Sequence, residues 1–291
     1  MSDNLRGALL MMASMAAFTL NDTAMKALAG DAPLFQLVFM RGVLTTVLIG
    51  VIAWRMGALS LRLPRRDLVY IGLRMVAEIA SAYFFLTALF NMPLANLTAI
   101  MQSMPLSVTL AAWLFLGMPV GWRRMSAILI GLVGVMIIVR PGPEGFNLFS
   151  IYALIAVGFV TMRDIVTRQL SREVPSMMVT LMTSGSVMVF FGVANVGTEW
   201  VPLDSKAWVV MLAAALMVTA GYLLSVMVMR VGEISFVAPF RYTGLIWALS
   251  LGWLVFGEWP RPLTLVGAAI VVGSGLFMLY RERQIKRSGQ G

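Results

Sequence analysis

The sequence contains neither cysteine nor histidine. Without cysteine there are no disulfides and no thiolate chemistry, and without either residue Cys/His zinc sites are excluded. A histidine proton relay is excluded as well, so any coupling to protons has to use carboxylates. The chain also lacks a glycine-rich phosphate loop of the Walker type, which argues against ATP hydrolysis by the chain itself. We therefore predict no cofactor and no metal site.

Charged residues are scarce too, at 12% of the 291 residues, whereas 60% are hydrophobic and the mean hydropathy is +0.89. A soluble domain carries roughly 25% charged residues. A soluble core of this length cannot hide so much apolar surface, because about a quarter of the chain's surface stays in water after folding. The composition predicts an all-α membrane protein, in which each spanning helix takes about 20 residues.

Ten apolar runs have the length of membrane spans, and we number them spans 1 to 10. Segments rich in Gly, Pro or charge separate them, such as Gly30-Asp31-Ala32-Pro33, as is typical of helix ends. The short connections leave no room for a separate catalytic domain. The predicted spans are 5–28, 33–54, 67–90, 93–117, 122–139, 148–169, 176–196, 206–229, 235–256 and 262–281.

Basic residues are distributed unequally between the two sides of such a bundle. If the N-terminus is cytoplasmic, three lie on the outer side (Arg140, Lys206 and Arg261) and fourteen on the inner side. This bias follows the positive-inside rule and predicts a multi-pass protein of a bacterial-type inner membrane, with both termini cytoplasmic. The net charge of +9 is thus a topology signal, and no nucleic-acid partner is predicted. The inner set is Arg6, Arg55, Arg62, Arg65, Arg66, Arg123, Arg124, Arg168, Arg172, Arg230, Arg281, Arg283, Lys286 and Arg287.

The two halves of the chain repeat each other at an offset of about 140 residues. The segment Asp-x-x-x-Lys that starts at Asp22 recurs as Asp-x-x-x-Arg at Asp164. Gly117 ends span 4 as Gly257 ends span 9, each after a large apolar residue. The common order and spacing of these matches indicate an internal duplication.

We predict two units of five spans each, 1–140 and 141–291. An odd number of spans forces the units to insert with opposite orientation, as in the inverted repeats of many secondary transporters. In such proteins the substrate site lies near the midplane, between the repeats. A duplicated channel or membrane receptor remains an alternative.

Three segments carry a resemblance to a known family: Met104-Pro105-Leu106 within span 4, Phe-Leu-Gly117 at its end, and Phe-Gly-Glu258 after span 9. With the five-plus-five organisation and short loops, the whole chain resembles the drug/metabolite transporter superfamily, EamA type. A Gly-Glu ending is common in that family, and the first half departs from it with Gly117-Met118. Within the superfamily the chain is similar to YddG-type exporters of aromatic amino acids. The resemblance implies a central cavity lined mainly by spans 1, 3, 4, 6, 8 and 9.

Ionisable residues inside the spans are costly, so they usually pair or face a wet cavity. Depth along the spans predicts that Asp22 pairs with Arg41, and Asp164 with Arg241. If these pairs are functional, they open and close as gates on the path of the substrate. The structural alternative is a fixed ion pair that holds two helices in register. The residues predicted to gate are Asp22, Arg41, Arg74 and Asp164.

Other intramembrane charges are predicted to bind substrate. Arg74 and Glu78 are one helical turn apart and are expected to pair locally. Glu78 is the acid nearest mid-membrane, so we consider it the candidate for proton exchange as well as for an ammonium group. Arg163 and Arg241 suit a substrate carboxylate, because a guanidinium forms a bidentate fork.

Polar and aromatic residues within the spans form the rest of the predicted site. They provide ring faces and hydrogen-bonding groups of the kind that bind an aromatic amino acid. The alternative is ordinary contact between helices, since Ser, Thr and Gln commonly bond across membrane helices. The residues assigned to substrate binding on this basis are Tyr83, Asn96, Gln102, Ser103, Tyr222, Tyr242 and Trp247.

Prolines and glycines suggest where the helices bend and where they touch. Pro105 in span 4 and Pro239 in span 9 each remove a backbone hydrogen bond, and we predict them to be hinges, with a passive kink as the alternative. Glycines in spans 5 and 10 indicate close helix packing. These glycines are Gly131, Gly134, Gly267, Gly273 and Gly275.

The sequence thus predicts a monomeric secondary transporter, surrounded by lipid, that exports aromatic or neutral amino acids or similar small metabolites by alternating access. Uptake or exchange of a nucleotide-like or other anionic metabolite is the alternative, because intramembrane arginines also suit an anion. A channel is the alternative of another class. An intramembrane enzyme is not predicted, since the chain has no His, no Cys and no clear Ser–Lys or di-aspartate motif.

Overall fold

A computed structural model of the protein describes residues 3–57, 59, 64–118, 120–140, 147–171, 173–231 and 234–288. Arg62 and Arg172, which were counted among the inner basic residues, lie outside the described residues. The helices are α1 (Asp3–Ala27), α2 (Leu34–Arg55), α3 (Arg65–Asn91), α4 (Leu94–Met101), α5 (Met104–Leu116), α6 (Trp122–Val139), α7 (Leu148–Thr167), α8 (Ser176–Ala194), α9 (Ser205–Val231), α10 (Ile234–Val237), α11 (Thr243–Phe256) and α12 (Pro262–Ser288), with a 3-10 helix at Ala238–Tyr242 between α10 and α11.

Each predicted span is helical, but spans 4 and 9 are broken in the middle. Span 4 consists of α4 and α5, and span 9 consists of α10, the 3-10 helix and α11. In the described chain, nine segments are long and apolar enough to cross a membrane, with α4 and α5 taken together. Span 9 is not among these nine, because it is interrupted and α11 alone has 14 residues, whereas a span needs about 20. The two breaks lie at equivalent places, so the fourth span of each five-span repeat is broken in the same way.

Proline and glycine set several helix ends. Pro33, Pro64 and Pro93 directly precede α2, α3 and α4. Proline is well placed before a helix, since its fixed φ and missing N–H interrupt any helix that would continue through it. Gly117 and Gly257 end α5 and α11 with φ of 62° and 65°, a left-handed conformation that glycine adopts without steric cost. The local chemistry of the two repeats is therefore matched as well.

The helices pair as a two-fold relation between the repeats requires. Helices α7, α8 and α9 of the second repeat correspond to α1, α2 and α3 of the first. Helix α1 packs along α9, and the corresponding pair, α7 and α3, packs in the same way. Helix α2 packs on its own counterpart α8, and α6 on its counterpart α12. The protein is thus an all-α bundle of two related five-span repeats, in which the first three spans of each repeat face those of the other.

Packing is denser at one end of the bundle than at the other. We call these the Glu258 end and the Asp67 end, after one residue at each. The main buried cluster, which includes Leu37 and Phe191, extends from the middle of the bundle to the Glu258 end. At the Asp67 end the buried residues form three small separate clusters, one of them around Ile71. The bundle is therefore sealed by apolar packing mainly at the Glu258 end.

Tryptophans mark the two rims of the bundle. Five of them lie near helix ends and are between 42% and 76% exposed, as expected for side chains that anchor at the membrane–water interface. They are Trp54, Trp122, Trp200, Trp208 and Trp259.

Glycines bring α6 and α12 into contact, as predicted. A Cβ at Gly267 would lie 2.7 Å from the carbonyl oxygen of Gly134, and a Cβ at Gly134 would lie 2.9 Å from that of Gly267. Gly131 and Gly275 also face close neighbours. The prediction for Gly273 is wrong, because no atom of the described chain lies within 4 Å of the place its Cβ would take. Gly273 is turned away from α6.

Candidate functional site

A polar cavity lies between α2, α3, α8 and α9, and the space inside it together with its open mouth is about 530 Å³. Its charged lining comes from Arg41 on α2 and from Arg74 and Glu78 on α3, and Tyr222 of α9 completes it. Glu78 is the middle residue of the 27-residue α3, so the cavity lies about halfway through the bundle. Four of the predicted site residues therefore meet in one place. The remaining lining residues are Gly42, Thr45, Ala82, Thr180, Thr183, Ser184, Val187 and Val218.

The lining helices differ from those that the resemblance implied. Spans 3 and 8 contribute as expected, but spans 2 and 7 line the cavity in place of spans 1, 4, 6 and 9. Helices α2 and α8 come close enough for a hydrogen bond of 2.9 Å between Thr46 and Ser184. Sequence reasoning missed the hydroxyls of Thr180, Thr183 and Ser184. Their signal was a polar stripe at helical spacing along span 7.

Arg163 of α7 binds two carboxylates beside the cavity. Its Nη1 donates to Oε2 of Glu78 at 3.2 Å, and its Nη2 donates to Oδ1 of Asp164 at 3.0 Å. The side chains are between 14% and 28% exposed, so the three charges are held mostly out of water. In such surroundings each charge depends on its partner, because an uncompensated one is costly. The partner of Glu78 is thus Arg163.

The expected local pair of Arg74 with Glu78 is not formed. Arg74 donates instead to two hydroxyls, from Nε to Thr183 at 3.3 Å and from Nη1 to Thr167. In the described part of the chain, no carboxylate oxygen lies within 4 Å of the Arg74 guanidinium. The physical reason is that α7 packs along α3 and offers Glu78 a second guanidinium, that of Arg163.

The expected pair of Asp22 with Arg41 is bridged by a third residue. Nη1 of Arg41 donates to Oδ1 of Asn21 at 3.2 Å, and Nδ2 of Asn21 donates to Oδ1 of Asp22 at 2.9 Å. The two charges share a level, as depth predicted, but no direct ion pair joins them among the described residues. Neighbouring residues on a helix point about 100° apart, so when Asn21 faces α2 the next residue does not.

The third expected pair, Asp164 with Arg241, is also not formed. Asp164 is bonded by its neighbour Arg163, and within the described residues no carboxylate lies within 4 Å of Arg241. Arg241 belongs to the 3-10 helix that breaks span 9 and lies outside the cavity lining. Its role in substrate binding stays a prediction.

The two tyrosines that the repeat places at equivalent positions have different surroundings. Tyr222 lines the cavity and meets the ring of Phe18 edge-on, with centroids 5.4 Å apart. Tyr83 lies in an aromatic cluster, stacked on Phe35 at 6.1 Å and edge-on to Phe84 at 5.2 Å. Tyr222 is therefore available to a ligand in the cavity, whereas Tyr83 packs helices together.

Five other residues predicted to bind substrate lie outside the cavity lining, namely Asn96, Gln102, Ser103, Tyr242 and Trp247. The Ser103 hydroxyl donates to the Ile100 carbonyl at 2.7 Å at the break between α4 and α5. The buried Tyr242 packs against Gly275 of α12, where only a glycine leaves room for the hydroxyl. Trp247 is 41% exposed on the outside of α11. For these residues a role in substrate binding stays a prediction.

The two prolines lie at the breaks of the broken spans. Pro105 is in the first turn of α5, directly after the break at Gln102 and Ser103. Pro239 is in the 3-10 helix before α11. The breaks are thus present where the sequence places them, and the hinge role of the two prolines stays a prediction.

Sequence reasoning missed an ion pair at the Glu258 end. Nζ of Lys26 donates to both carboxylate oxygens of Glu258, at 2.7 and 2.9 Å, and to the carbonyl of Met92 at 2.7 Å. The same carboxylate accepts the N–H of Leu94 at 3.1 Å. We call this group the latch. It ties the end of α1 to the α3–α4 junction and to the end of α11. The sequence contained a signal for this pair, because Lys26 and Glu258 lie at the ends of spans 1 and 9, at the same depth in the membrane.

Among the residues that the structure describes, no three Asp or Glu side chains are grouped closely enough to hold an ion.

The sequence matches the EamA-like transporter family twice, over residues 5–140 and over residues 147–280. This chain belongs to the EamA-like transporter family. The two matches correspond to the two five-span repeats, so this EamA protein is a multi-pass membrane transporter of the drug/metabolite superfamily.

Relatives of this EamA protein transport different small molecules. It is 29% identical over 218 residues to a riboflavin transporter of Vibrio cholerae, covering 74% of this chain and 72% of that protein. It is 25% identical over 275 residues to an S-adenosylmethionine uptake transporter of Rickettsia conorii, covering 93% and 91%. It is 25% identical over 274 residues to the pseudopaline exporter CntI of Pseudomonas aeruginosa, covering 91% and 93%. The EamA protein is accordingly a small-metabolite transporter.

A protein of known crystal structure shares the fold. It superposes with a TM-score of 0.67 at 15% identity, over 94% of this chain and 97% of the other.

Proposed function

We propose that this EamA protein is a secondary transporter that moves a small organic metabolite with a planar ring by alternating access. The substrate binds in the cavity between α2, α3, α8 and α9. The observation that carries the proposal is the position of this cavity, a polar space halfway through a bundle of two related repeats. Inverted-repeat transporters bind their substrates at that level.

The different packing of the two ends supports alternating access. The latch and the main apolar cluster lie at the Glu258 end, whereas the described residues of the Asp67 end form small apolar clusters and a hydrogen-bonded contact of Asp67 with Ser171. If both termini are cytoplasmic in a bacterial-type inner membrane, as the basic residues indicate, the closed end faces outward. We propose that this arrangement is the inward-facing state of a monomer, because the chain carries both repeats itself.

A ring-containing substrate is supported by the cavity and by the relatives. Tyr222 presents an aromatic surface beside hydroxyl groups that are able to bond polar edges. Riboflavin and S-adenosylmethionine, which two relatives transport, both contain planar nitrogen heterocycles. Export of an aromatic amino acid is the second candidate. It is less well supported, because the carboxylate of Glu78 that would bind its ammonium group is already bonded to Arg163.

Counterflow in proteoliposomes tests the proposal. Vesicles preloaded with unlabelled riboflavin, S-adenosylmethionine or phenylalanine receive a trace of the same labelled compound outside. A carrier gives saturable, transient accumulation of label, and we expect it for at least one of the two heterocyclic compounds. Accumulation of phenylalanine alone would support the amino-acid candidate. Flux that neither saturates nor shows counterflow would indicate a channel and contradict the proposal.

A further inference from the structure

We infer that the substrate carries an anionic group, a carboxylate or a phosphate, which binds between Arg41 and Arg74. This inference rests on the proposed function, since it assigns a chemical class to the substrate of the same cavity. It applies to the group that is bound there and is independent of the ring that the substrate also contains.

The cavity lining contains two guanidinium groups that form no direct ion pair with a described acid, and Arg41 reaches Asp22 only through Asn21. Within the described residues, no carboxylate oxygen lies within 4 Å of Arg41 or of Arg74. Glu78 is the acid that lines the same cavity, and both of its oxygens accept from Arg163, at 3.2 and 3.5 Å. A ligand that enters therefore meets two arginines without a direct ion-pair partner among the described residues, and one carboxylate that is already bonded to Arg163.

Hydrogen-bond donors are left over at the same place. A guanidinium has five N–H donors, and Arg41 uses one nitrogen on Asn21 while Arg74 uses two on hydroxyls. Thr45 lines the cavity and is only 5% exposed. Its hydroxyl has no hydrogen-bond partner in the described structure. Arg41 and Thr45 lie one turn apart on α2. Together these groups offer an oxyanion several donors, as planar recognition of carboxylate or phosphate requires.

Matched pairs of ligands that differ in one charged group test the inference. Flavin mononucleotide and riboflavin differ by a phosphate, whereas benzoate and benzamide differ by a carboxylate. Binding of each compound to the purified full-length protein is measured by its effect on the melting temperature and by competition with the substrate found in counterflow. We expect at least one anionic member to bind about tenfold more tightly than its neutral partner, as charge-assisted hydrogen bonds predict. Which pair shows the difference distinguishes a phosphate from a carboxylate.

Substitutions assign the effect to the two arginines. In Arg41→Gln and Arg74→Gln we expect the anionic and neutral members of the pair to bind equally well, while Arg41→Lys keeps part of the preference. Arg123→Gln is the matched control, because Arg123 is exposed at the start of α6 and lies outside the cavity. The melting temperature of each variant is first measured without ligand, and it has to equal that of the parent protein.

The outcomes separate this inference from the proposed function. If neutral members bind as well as anionic ones, or if Arg41→Gln and Arg74→Gln keep the preference, the inference is overturned even where counterflow is observed. If anions bind through the two arginines but no counterflow occurs, the inference stands and the carrier function is contradicted.

A second inference comes from the Glu258 end and does not depend on the substrate. We propose that the latch holds this end closed and that the described residues of the Asp67 end form no equivalent ion pair. The Asp67 carboxylate accepts there from the N–H and the hydroxyl of Ser171, at 3.1 and 2.7 Å, which are neutral donors. The side chains of Lys26 and Glu258 are only 9% and 27% exposed, and Lys26 also lies 5.1 Å from the ring of Phe256. A charged pair so shielded from water is stronger than an exposed surface pair.

The internal repeat identifies the residues of the Asp67 end that correspond to the ion pair of the latch. The residues equivalent to Lys26 and Glu258 are Arg168 and Met118. Arg168 is exposed at the end of α7, and Met118 is 49% exposed after α5. The cation is thus present in both repeats, whereas the carboxylate is present in one. Closure of the Asp67 end has to form without this ion pair, which biases the resting protein towards closure at the Glu258 end.

A single cysteine measures closure directly, because the natural chain contains none. Ala95→Cys places a thiol in the first turn of α4, at a residue that is 2% exposed and follows Leu94 of the latch. We expect slow labelling by a membrane-impermeant maleimide in the Ala95→Cys protein. Adding Glu258→Gln should raise the rate about fivefold or more, since opening no longer breaks charged hydrogen bonds. Glu199→Gln, an exposed acid near the same end, is the control.

Met118→Glu supplies the missing carboxylate and keeps the test informative if Glu258→Gln unfolds the protein. In the Ala95→Cys background it should also raise labelling, because it stabilises the state that is closed at the Asp67 end. Fast labelling of Ala95→Cys alone would show that the Glu258 end is open, and unchanged labelling in both charge variants would show that the latch does not control it. Either result overturns the proposal.

Discussion

Arg163 of α7 and Glu78 of α3 form an ion pair inside the bundle, with Nη1 3.2 Å from Oε2. Because Arg163 also holds Asp164 at 3.0 Å, one cation compensates two carboxylates. We predict that Arg163→Gln lowers the free energy of unfolding by about 2–3 kcal/mol, somewhat less than for a fully buried pair because the groups are partly exposed. Thermal unfolding in detergent measures this, with Arg123→Gln as the exposed control.

The same network makes a second variant informative. Adding Glu78→Gln to Arg163→Gln removes one of the two orphaned acids, so part of the lost stability should return. If Arg163→Gln melts at the temperature of the parent protein, the group of three charges does not stabilise the fold.

Tyr222 and Tyr83 should differ in function although the repeat makes them equivalent. Tyr222→Ala removes the aromatic surface of the cavity and is expected to weaken substrate binding about tenfold, because an aromatic contact with its buried area is lost. Tyr83→Phe keeps the ring in its cluster with Phe35 and should leave binding unchanged. Half-saturation of counterflow measures both. A larger effect at Tyr83 than at Tyr222 would place the substrate outside the cavity.

Gly267 and Gly273 form a matched pair on α12. Gly267→Ala puts a methyl group 2.7 Å from a backbone oxygen of α6, so the helices have to separate and we expect a loss of about 1–3 kcal/mol. Gly273→Ala meets open space and should be neutral or slightly stabilising, since alanine favours helix. Thermal unfolding of the two variants side by side measures the difference. Equal effects would show that α6 and α12 do not depend on this contact.

Pro105 should affect the rate of transport more than binding. Pro105→Ala restores an N–H at the start of α5 and allows α4 and α5 to join into one straighter helix. We expect maximal counterflow to fall several-fold while half-saturation changes little, as for a hinge that limits the conformational step. A fall in affinity at unchanged maximal rate would instead indicate that the break shapes the binding site.

Much of the architecture follows from the sequence because its causes are local. Lengths of apolar runs set the number of spans, and prolines and glycines such as Pro33 and Gly117 set their ends. The duplication is visible because matched residues keep their spacing along the chain. These features depend on neighbours in sequence, and they also place Arg41 and Asp22 at one level.

The partners of the charges were not determined in this way. Depth gives the height of a side chain, but the rotation of each helix and the packing between helices decide which side chains meet. Thus Asn21 lies between Asp22 and Arg41, and Arg163 takes Glu78 because α7 packs along α3. For the same reason the cavity is lined by spans 2, 3, 7 and 8. The sequence by itself determined a ten-span transporter built as an inverted repeat, and only the tertiary structure decided where its cavity lies and how one end is closed, because both depend on contacts between residues far apart in the chain.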